Sequence, residues 1–326
     1  MIAATATDTA ANLHKFLVRD RCPCCNAPLE AAEPRAASDP RAETIPAEGH
    51  GKFLSGYSAR RLFFSYVGCS RCGAVYCPVY YSQEQLDMLY ARQAENMSEA
   101  PLEARLRTQE GYARMLLQYS RRGGDFLEIG ADNGSFAQAC AQQGKFRHLS
   151  LYEPNVEVHA ALSDRLRGTS FAIKASRFKP DDLGPGSVST AAMIHVLDHL
   201  LDPLRALRDI GAVLEPGGVI LIVTHDASSL LARVLGKRWP PYTLQHPHLF
   251  TPSSLKALVE RAGLESVLIA KTVNYFPLSY LARAACSVLG MNAGFLSGAG
   301  GPLLGFRLGN IAAIARKPGA HGSGMA

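Results

Sequence analysis

From residue 124 onward, short apolar runs alternate with amphipathic stretches. Phe126-Leu127-Glu128-Ile129 predicts a strand that runs into a glycine turn, and Ser135 to Gln143 a helix stopped at Gly144. His148 to Tyr152 predicts a second strand, Asn155 to Arg167 a helix, Phe171-Ala172-Ile173 a short third strand and Val188 to Val196 a fourth. A helix from Asp202 to Val213 is expected to stop at Glu215-Pro216-Gly217-Gly218, where proline and glycines break it. Val219 to Val223 is a near-continuous branched run, the pattern of a parallel strand covered on both faces. Thr251-Pro252 pairs an N-cap with proline at the first helical position and opens a helix to about Ala262. Ser266 to Thr272 and Asn310 to Ala315 supply two last strands. Strands alternating with helices predict a doubly wound α/β sheet.

Upstream, residues 82–120 carry apolar positions at helical spacing and predict two helices. The expected organisation is a tail (1–20), a cysteine-rich domain (21–81), a helical linker (82–120), the α/β domain (121–318) with an apolar insertion (276–306), and a short tail (319–326).

Composition narrows the class. Of 326 residues, 47% are hydrophobic and 19% charged, which excludes disorder for most of the chain. The net charge of +6 is mild and permits anionic substrates. It is also uneven: no carboxylate side chain follows Glu265, whereas the first eighty residues are nearly neutral. That balance disfavours a nucleic-acid-binding arm. The first twenty residues lack the charged and apolar regions of a secretory signal. The uncharged stretch Ala284 to Phe306 contains too many glycines for a stable membrane helix. A cytoplasmic location is the expectation, with peripheral membrane contact left open.

Eight cysteines in a reducing compartment read as thiols or metal ligands. Six lie within the first eighty positions. Cys22-Pro-Cys24-Cys25 and Cys69-Ser-Arg-Cys72 each hold a C-x-x-C pair, and two such turns complete a tetrahedral sulfur site. Asn26 and Gly73 suit the left-handed positions these turns need. Cys22, Cys25, Cys69 and Cys72 are therefore the candidate ligands of a structural zinc ribbon, with Cys24 or Cys77 as replacements. Cys140 and Cys286 read as small core residues.

The other chemistry begins at Glu128-Ile129-Gly130-Ala131-Asp132-Asn133-Gly134, where a strand enters a glycine turn and then a helix. The dinucleotide pattern GxGxxG fails here, and Asp132 would repel a pyrophosphate. Glu153 ends the second strand, where a carboxylate can accept both ribose hydroxyls. An acidic loop with a ribose-binding carboxylate suits a cationic nucleoside.

The segments DFLEIGADNG (125–134), LYEPN (151–155), AMIHVLDHLLDP (192–203) and LEPGGVILIV (214–223), in this order and spacing, resemble the seven-stranded, S-adenosylmethionine-dependent methyltransferases. The resemblance covers about residues 110–318. It implies a mostly parallel, Rossmann-like seven-stranded sheet, with the cofactor held by Glu128, Gly130, Asp132, Asn133 and Gly134. Glu153 and Pro154 would lie at the ribose, Ala175 and Ser176 near adenine, and His195 beside the methionine portion. The product would be S-adenosylhomocysteine. The cysteine knuckles ahead of this core look like those of a zinc-containing group that includes sugar C-methyltransferases. That group carries Tyr-His-Glu-His after the fifth strand; here the stretch is Leu244-Gln245-His246-Pro247-His248, with both histidines kept and the large C-terminal domain missing.

The resemblance implies methyl transfer to a small-molecule acceptor, such as a sugar, a lipid-linked compound or a natural product, at O, N or C. Hydroxyl and carbon acceptors need proton removal, for which His248, then His246, with His195 nearby, are the candidate catalytic residues. Asp198 and His199 read as helix-terminal structure. Trp239 stands in a proline-flanked loop as a gate, a substrate platform or a plain anchor. The 276–306 insertion is expected to cap the pocket. The alternatives are an RNA methyltransferase using its zinc ribbon to hold RNA, and a cofactor-binding protein without catalysis. The oligomeric state is left open.

Overall fold

The computed structural model describes residues 16–50, 61–90, 101–121, 123–288, 291 and 301–319. Most of the expected N-terminal tail, residues 91–100 of the linker, the middle of the 276–306 insertion and the C-terminal tail from 320 lie outside the described residues.

Five short strands come first: β1 (Leu17–Val18), β2 (Ala32–Ala36), β3 (Tyr66–Cys69), β4 (Val75–Tyr76) and β5 (Val79–Tyr80). Helices α1 (Gln83–Tyr90) and α2 (Leu102–Leu117) follow. The α/β part runs β6 (Asp125–Ile129), α3 (Ser135–Gly144), β7 (His148–Tyr152), α4 (His159–Arg165), β8 (Phe171–Lys174), β9 (Val188–Ile194), α5 (Pro203–Val213) and β10 (Leu214–His225). It continues through α6 (Leu230–Leu235), β11 (His248–Leu249), α7 (Pro252–Arg261) and β12 (Glu265–Lys271). Last come β13 (Asn274–Pro277), α8 (Leu278–Val288), β14 (Leu303–Phe306) and β15 (Asn310–Arg316).

Seven strands form the main sheet in the order β12-β15-β10-β9-β6-β7-β8. The β10-β9-β6-β7-β8 pairings are parallel, and β15 runs antiparallel to both neighbours. This is the doubly wound, mostly parallel Rossmann-like sheet that the alternation of runs predicts. Ile220, Leu221, Ile222 and Val223 are fully buried because helices cover both faces of the sheet.

The boundaries differ where backbone chemistry overrides the pattern. The Glu215-Pro216-Gly217-Gly218 breaker does not form a loop. Gly217 at φ 79° and a register shift after Leu214 let the same residues start β10 early. The expected Asn155–Arg167 helix opens with a 3-10 turn, Val156–Val158, because the Asn155 side chain accepts the Glu157 N–H before regular α-helix begins. α7 matches its prediction: Thr251 and Ser254 cap it reciprocally, and Pro252 takes the first turn.

The cysteine-bearing segment is joined to the α/β domain. β11, which leaves the region after β10, pairs with β4 and completes the sheet β11-β4-β3-β2. Arg261 on α7 donates to the Cys24 carbonyl, and Ser253 donates to the Cys72 carbonyl at 2.8 Å. In the insertion, β13 and β14 pair as an antiparallel ribbon with α8 between them. Trp239 is 1% exposed and packs edge-on against both Tyr242 and His225. Among the described residues no helix is long and apolar enough to cross a membrane.

Because Leu221 is fully buried in β10, an inner strand between helical layers, Leu221→Ala should cost about 2–5 kcal/mol. The expected result is a lower urea midpoint with an unchanged m-value.

Candidate active site and cysteine centre

The parallel strands present their carboxyl ends on one edge, and connections leave in opposite directions from β6 and β9. That crossover is the place where open α/β sheets bind ligands. Three chain segments meet there: the turn after β6, the end of β7 and the end of β9.

The turn after β6 requires its glycine. Gly130 has φ 74°, and a Cβ placed there would lie 2.4 Å from Val196 Cγ2. Gly134 caps α3 at φ 78°, and Asp132 takes φ 45°, one of the few non-glycine residues that tolerate the left-handed region. The Asp132 N–H donates to Glu153 Oε2 and the Asn155 N–H to Glu153 Oε1, both at 2.8 Å. Each carboxylate oxygen keeps lone-pair capacity beyond these bonds. Burial raises the Glu153 pKa despite those two donors.

Glu128 lies behind the turn. It is 1% exposed, and its Oε2 has no hydrogen-bond partner. Burial, with Asp132 and Glu153 adding negative charge, raises its pKa well above the carboxylate range. A carboxyl group of this kind is stabilised by a cation or donor brought into the turn. An orphaned buried acid, a glycine that admits close approach and a second carboxylate one strand away fit a cationic nucleoside such as S-adenosylmethionine. Of the other expected contacts, Asn133 is half-buried, Pro154 is exposed after β7, and Ala175 and Ser176 are exposed after β8 on the same edge.

At the ends of β9 and β10 stands a wall of imidazoles around one carboxylate. His195 leaves β9 with φ 53°, a strained conformation for a non-glycine residue. Asp198, in the turn Leu197–His199, is 0% exposed and accepts from Thr224 Oγ1 at 2.9 Å and His225 Nδ1 at 2.7 Å. Burial opposes its charge, yet the hydrogen bond from His225 holds its pKa well below the usual range. His225 packs against His195 with ring centroids 4.8 Å apart and against His246 at 5.1 Å; His246 meets His199 at 4.6 Å. Asp198 and His199 are thus members of this wall, not mere helix-terminal residues. The His246 Nδ1–H donates to the Pro241 carbonyl at 2.7 Å, which leaves Nε2 with its lone pair. Burial keeps this imidazole neutral, with a pKa well below the ordinary value.

His248 is placed elsewhere. It sits in β11 opposite Tyr76, fully buried, with Nε2 donating to the Leu197 carbonyl at 3.1 Å and its ring against Phe250. The fold thus joins His246 and His195 through His225 and leaves His248 outside the group. The pattern did not single out His225. The available signal was its position, a histidine closing the most apolar strand at its carboxyl end.

The two cysteine knuckles are near-copies. In each, the residue after the second cysteine is left-handed, Asn26 at φ 62° and Gly73 at φ 77°. Each donates its N–H back to the first cysteine's carbonyl, at 3.0 and 2.9 Å. Cys22 and Cys72 sulfurs lie 3.7 Å apart and Cys25 and Cys69 sulfurs 3.6 Å, with all four within 4.8 Å. A disulfide needs about 2.05 Å. The edge of a zinc–thiolate tetrahedron with bonds near 2.3 Å is about 3.8 Å. The set therefore fits zinc. Cys24 stays outside this quartet, and Cys77 packs with the aromatic cluster near His246.

A family model described as a methyltransferase domain matches residues 94–269, more than half of the chain. The chain belongs to this methyltransferase-domain family. A ubiquinone biosynthesis O-methyltransferase of Bordetella avium is 27% identical over 159 residues, 45% of this chain and 64% of that protein. One of Aeromonas salmonicida is 30% identical over 102 residues, 29% of this chain and 42% of that protein. The chain thus spans less than two thirds of the length of these relatives. Among solved structures, the 1,6-didemethyltoxoflavin-N1-methyltransferase of Burkholderia thailandensis, bound to 1,6-didemethyltoxoflavin and S-adenosylhomocysteine, is 18% identical. It aligns with TM-score 0.44 over 65% of this chain and 78% of its own. The YcgJ protein of Bacillus subtilis is 16% identical, TM-score 0.45, over 64% of this chain and 98% of its own.

Two measurements test these geometries. Metal analysis of the purified, tag-free chain should find zinc, of which one equivalent is lost in Cys72→Ser. Burial lowers the His248 pKa to about 3, below its unfolded value near 6.5. The stability this represents is complete above about pH 6.5 and is lost as pH falls toward 3. The urea midpoint should fall on acidification below pH 6.5, less steeply in His248→Gln.

Proposed function

We propose that this chain is an S-adenosylmethionine-dependent methyltransferase that methylates a hydroxyl group of a small-molecule acceptor. The observation that carries the reading is the meeting, at the β6/β9 crossover, of the Gly130 turn and its orphaned Glu128 with a histidine wall one strand away. Family membership and the O-methyltransferase relatives support the same reading.

The cofactor supplies an electrophilic methyl carbon on a sulfonium. Glu153 would accept the ribose hydroxyls and Gly130 to Gly134 would lie against the nucleoside. Glu128 would face the methionine end, and Pro154, Ala175 and Ser176 would border the sugar and base. The carboxylates around the turn favour the positive charge of the bound cofactor. His195 follows β9 and lies between the cofactor edge and the wall.

The acceptor must align its oxygen with the methyl carbon and sulfur, and alignment supplies much of the rate. Its proton would pass to His246 Nε2, because Pro241 fixes the other nitrogen as the donor. His248 would support the loop from β11. The cysteine-rich segment around residues 21–81 would hold one structural zinc through Cys22, Cys25, Cys69 and Cys72. It would also brace the region after β10 that carries His246.

Glu153→Ala should weaken S-adenosylmethionine binding about tenfold or more in calorimetry while the folded circular dichroism remains; an unchanged dissociation constant would remove Glu153 from the ribose. His246→Gln should lower turnover about 10²–10⁴-fold on whichever hydroxyl acceptor supports S-adenosylhomocysteine formation, with cofactor affinity kept. Full activity in that variant would assign the proton to another group.

A further inference from the structure

The histidine wall holds more ligating capacity than proton removal needs. Asp198 is a fully buried carboxylate, and among the described residues no lysine or arginine pairs with it. Its Oδ2 takes both hydrogen bonds, from Thr224 and His225, while Oδ1 is buried without a hydrogen-bond partner. His195 Nδ1 is buried and partnerless as well, although its Nε2 lies 3.3 Å from the Asn310 side-chain amide. His195, Asp198 and His225 bring one donor atom each within 4.8 Å of one another. A hydrogen-bonded Asp–His pair accounts for Oδ2 and leaves both orphans without a reason, and buried polar atoms are costly to leave unsatisfied. The backbone strain at His195 is spent on bringing its ring to this place.

We propose that His195, Asp198 and His225 form a second metal site, separate from the cysteine quartet, that takes a divalent transition cation such as Zn2+, Mn2+ or Co2+. Two imidazoles and one carboxylate are a donor set of borderline hardness, suited to these ions. Three protein ligands leave coordination positions open, the pattern of catalytic metal sites. Uptake of the cation leaves His225 a neutral ligand, its ring proton staying on the nitrogen that does not face the cation, so no net proton release is required. Thr224 and Asn310 hold the carboxylate and the His195 ring from behind, as outer-shell partners do. His195 and His225 are both partly exposed, His225 over 24% of its side chain, while Asp198 is buried, so the open positions face the side from which an acceptor arrives. An acceptor hydroxyl whose oxygen enters the cation's shell becomes more acidic, and His246 stands next to it to take the proton. This deepens the reading above by giving the acceptor an anchoring group, and it rests on that reading only for the acceptor, not for the metal.

The test uses the full, tag-free chain with its zinc content measured beforehand, and Co2+ alone as the probe. Titration should show one further equivalent of Co2+ with d–d absorption in the visible and no thiolate-to-cobalt charge-transfer band. His225→Gln, on a partly exposed ligand, and Asn310→Ala, behind His195, should each weaken this equivalent by about 10–100-fold and leave the cysteine-bound zinc in place. Failure of Co2+, Mn2+ and Zn2+ to bind beyond the first equivalent would overturn the proposal, as would unchanged affinity in both variants. S-adenosylmethionine calorimetry on the same samples separates the outcomes. Cofactor binding without a second metal removes this site and keeps the methyltransferase reading, whereas a second metal without cofactor binding does the reverse.

Discussion

The approach of Gly130 to Val196 controls the geometry of the ligand edge. With no side chain in the way, the turn after β6 folds flat against the segment leaving β9, and the two carboxyl ends open onto a common floor. Glu128, at the end of the same strand, is buried beneath that floor without a partner for one oxygen. Glu153 ties the turn down through the Asp132 and Asn155 N–H groups. Any residue larger than glycine at 130 meets Val196 and also requires an unfavourable positive φ, so both constraints fall on one position. The shape of this edge is therefore set by backbone geometry, and its electrostatics by the acidic side chains of Glu128, Asp132 and Glu153 placed around it.

A second organisation builds on the first. β9 and β10 end side by side, and the residues that follow them supply a carboxylate and three imidazoles. The fourth imidazole, His246, comes from the loop after β10, whose path is held from the other side by β11 pairing with β4. The cysteine knuckles in turn are fastened to α7 through the carbonyls of Cys24 and Cys72. A metal in the knuckles would stiffen the segment against which β11 lies, and through β11 the loop that carries His246. The structural and the chemical parts of the chain are thus coupled by hydrogen bonds and a shared sheet.

Much of this was legible in the residues. Period-two and period-3.6 patterns located the strands and helices of the main sheet because both faces of that sheet are buried, which leaves long branched runs such as Ile220 to Val223. The two C-x-x-C turns were legible because short-range geometry alone brings their thiols together, and Asn26 and Gly73 marked the left-handed residues. The difference between the two loop histidines was not legible. His246 and His248 look equivalent in sequence, two residues apart in one loop. Strand pairing turns His248 toward the Leu197 carbonyl and leaves His246 among the other imidazoles, and no local pattern encodes that difference.

By itself, the sequence determined the alternation of elements, the glycine turn and the two cysteine knuckles, since each depends on neighbours within a few residues. Tertiary structure alone decided that Asp198 and His225 are hydrogen-bonded and that His195 packs beside them. It also decided that a strand from after β10 completes the N-terminal sheet. These contacts join positions tens to hundreds of residues apart, and only the order of strands in the sheet brings them together.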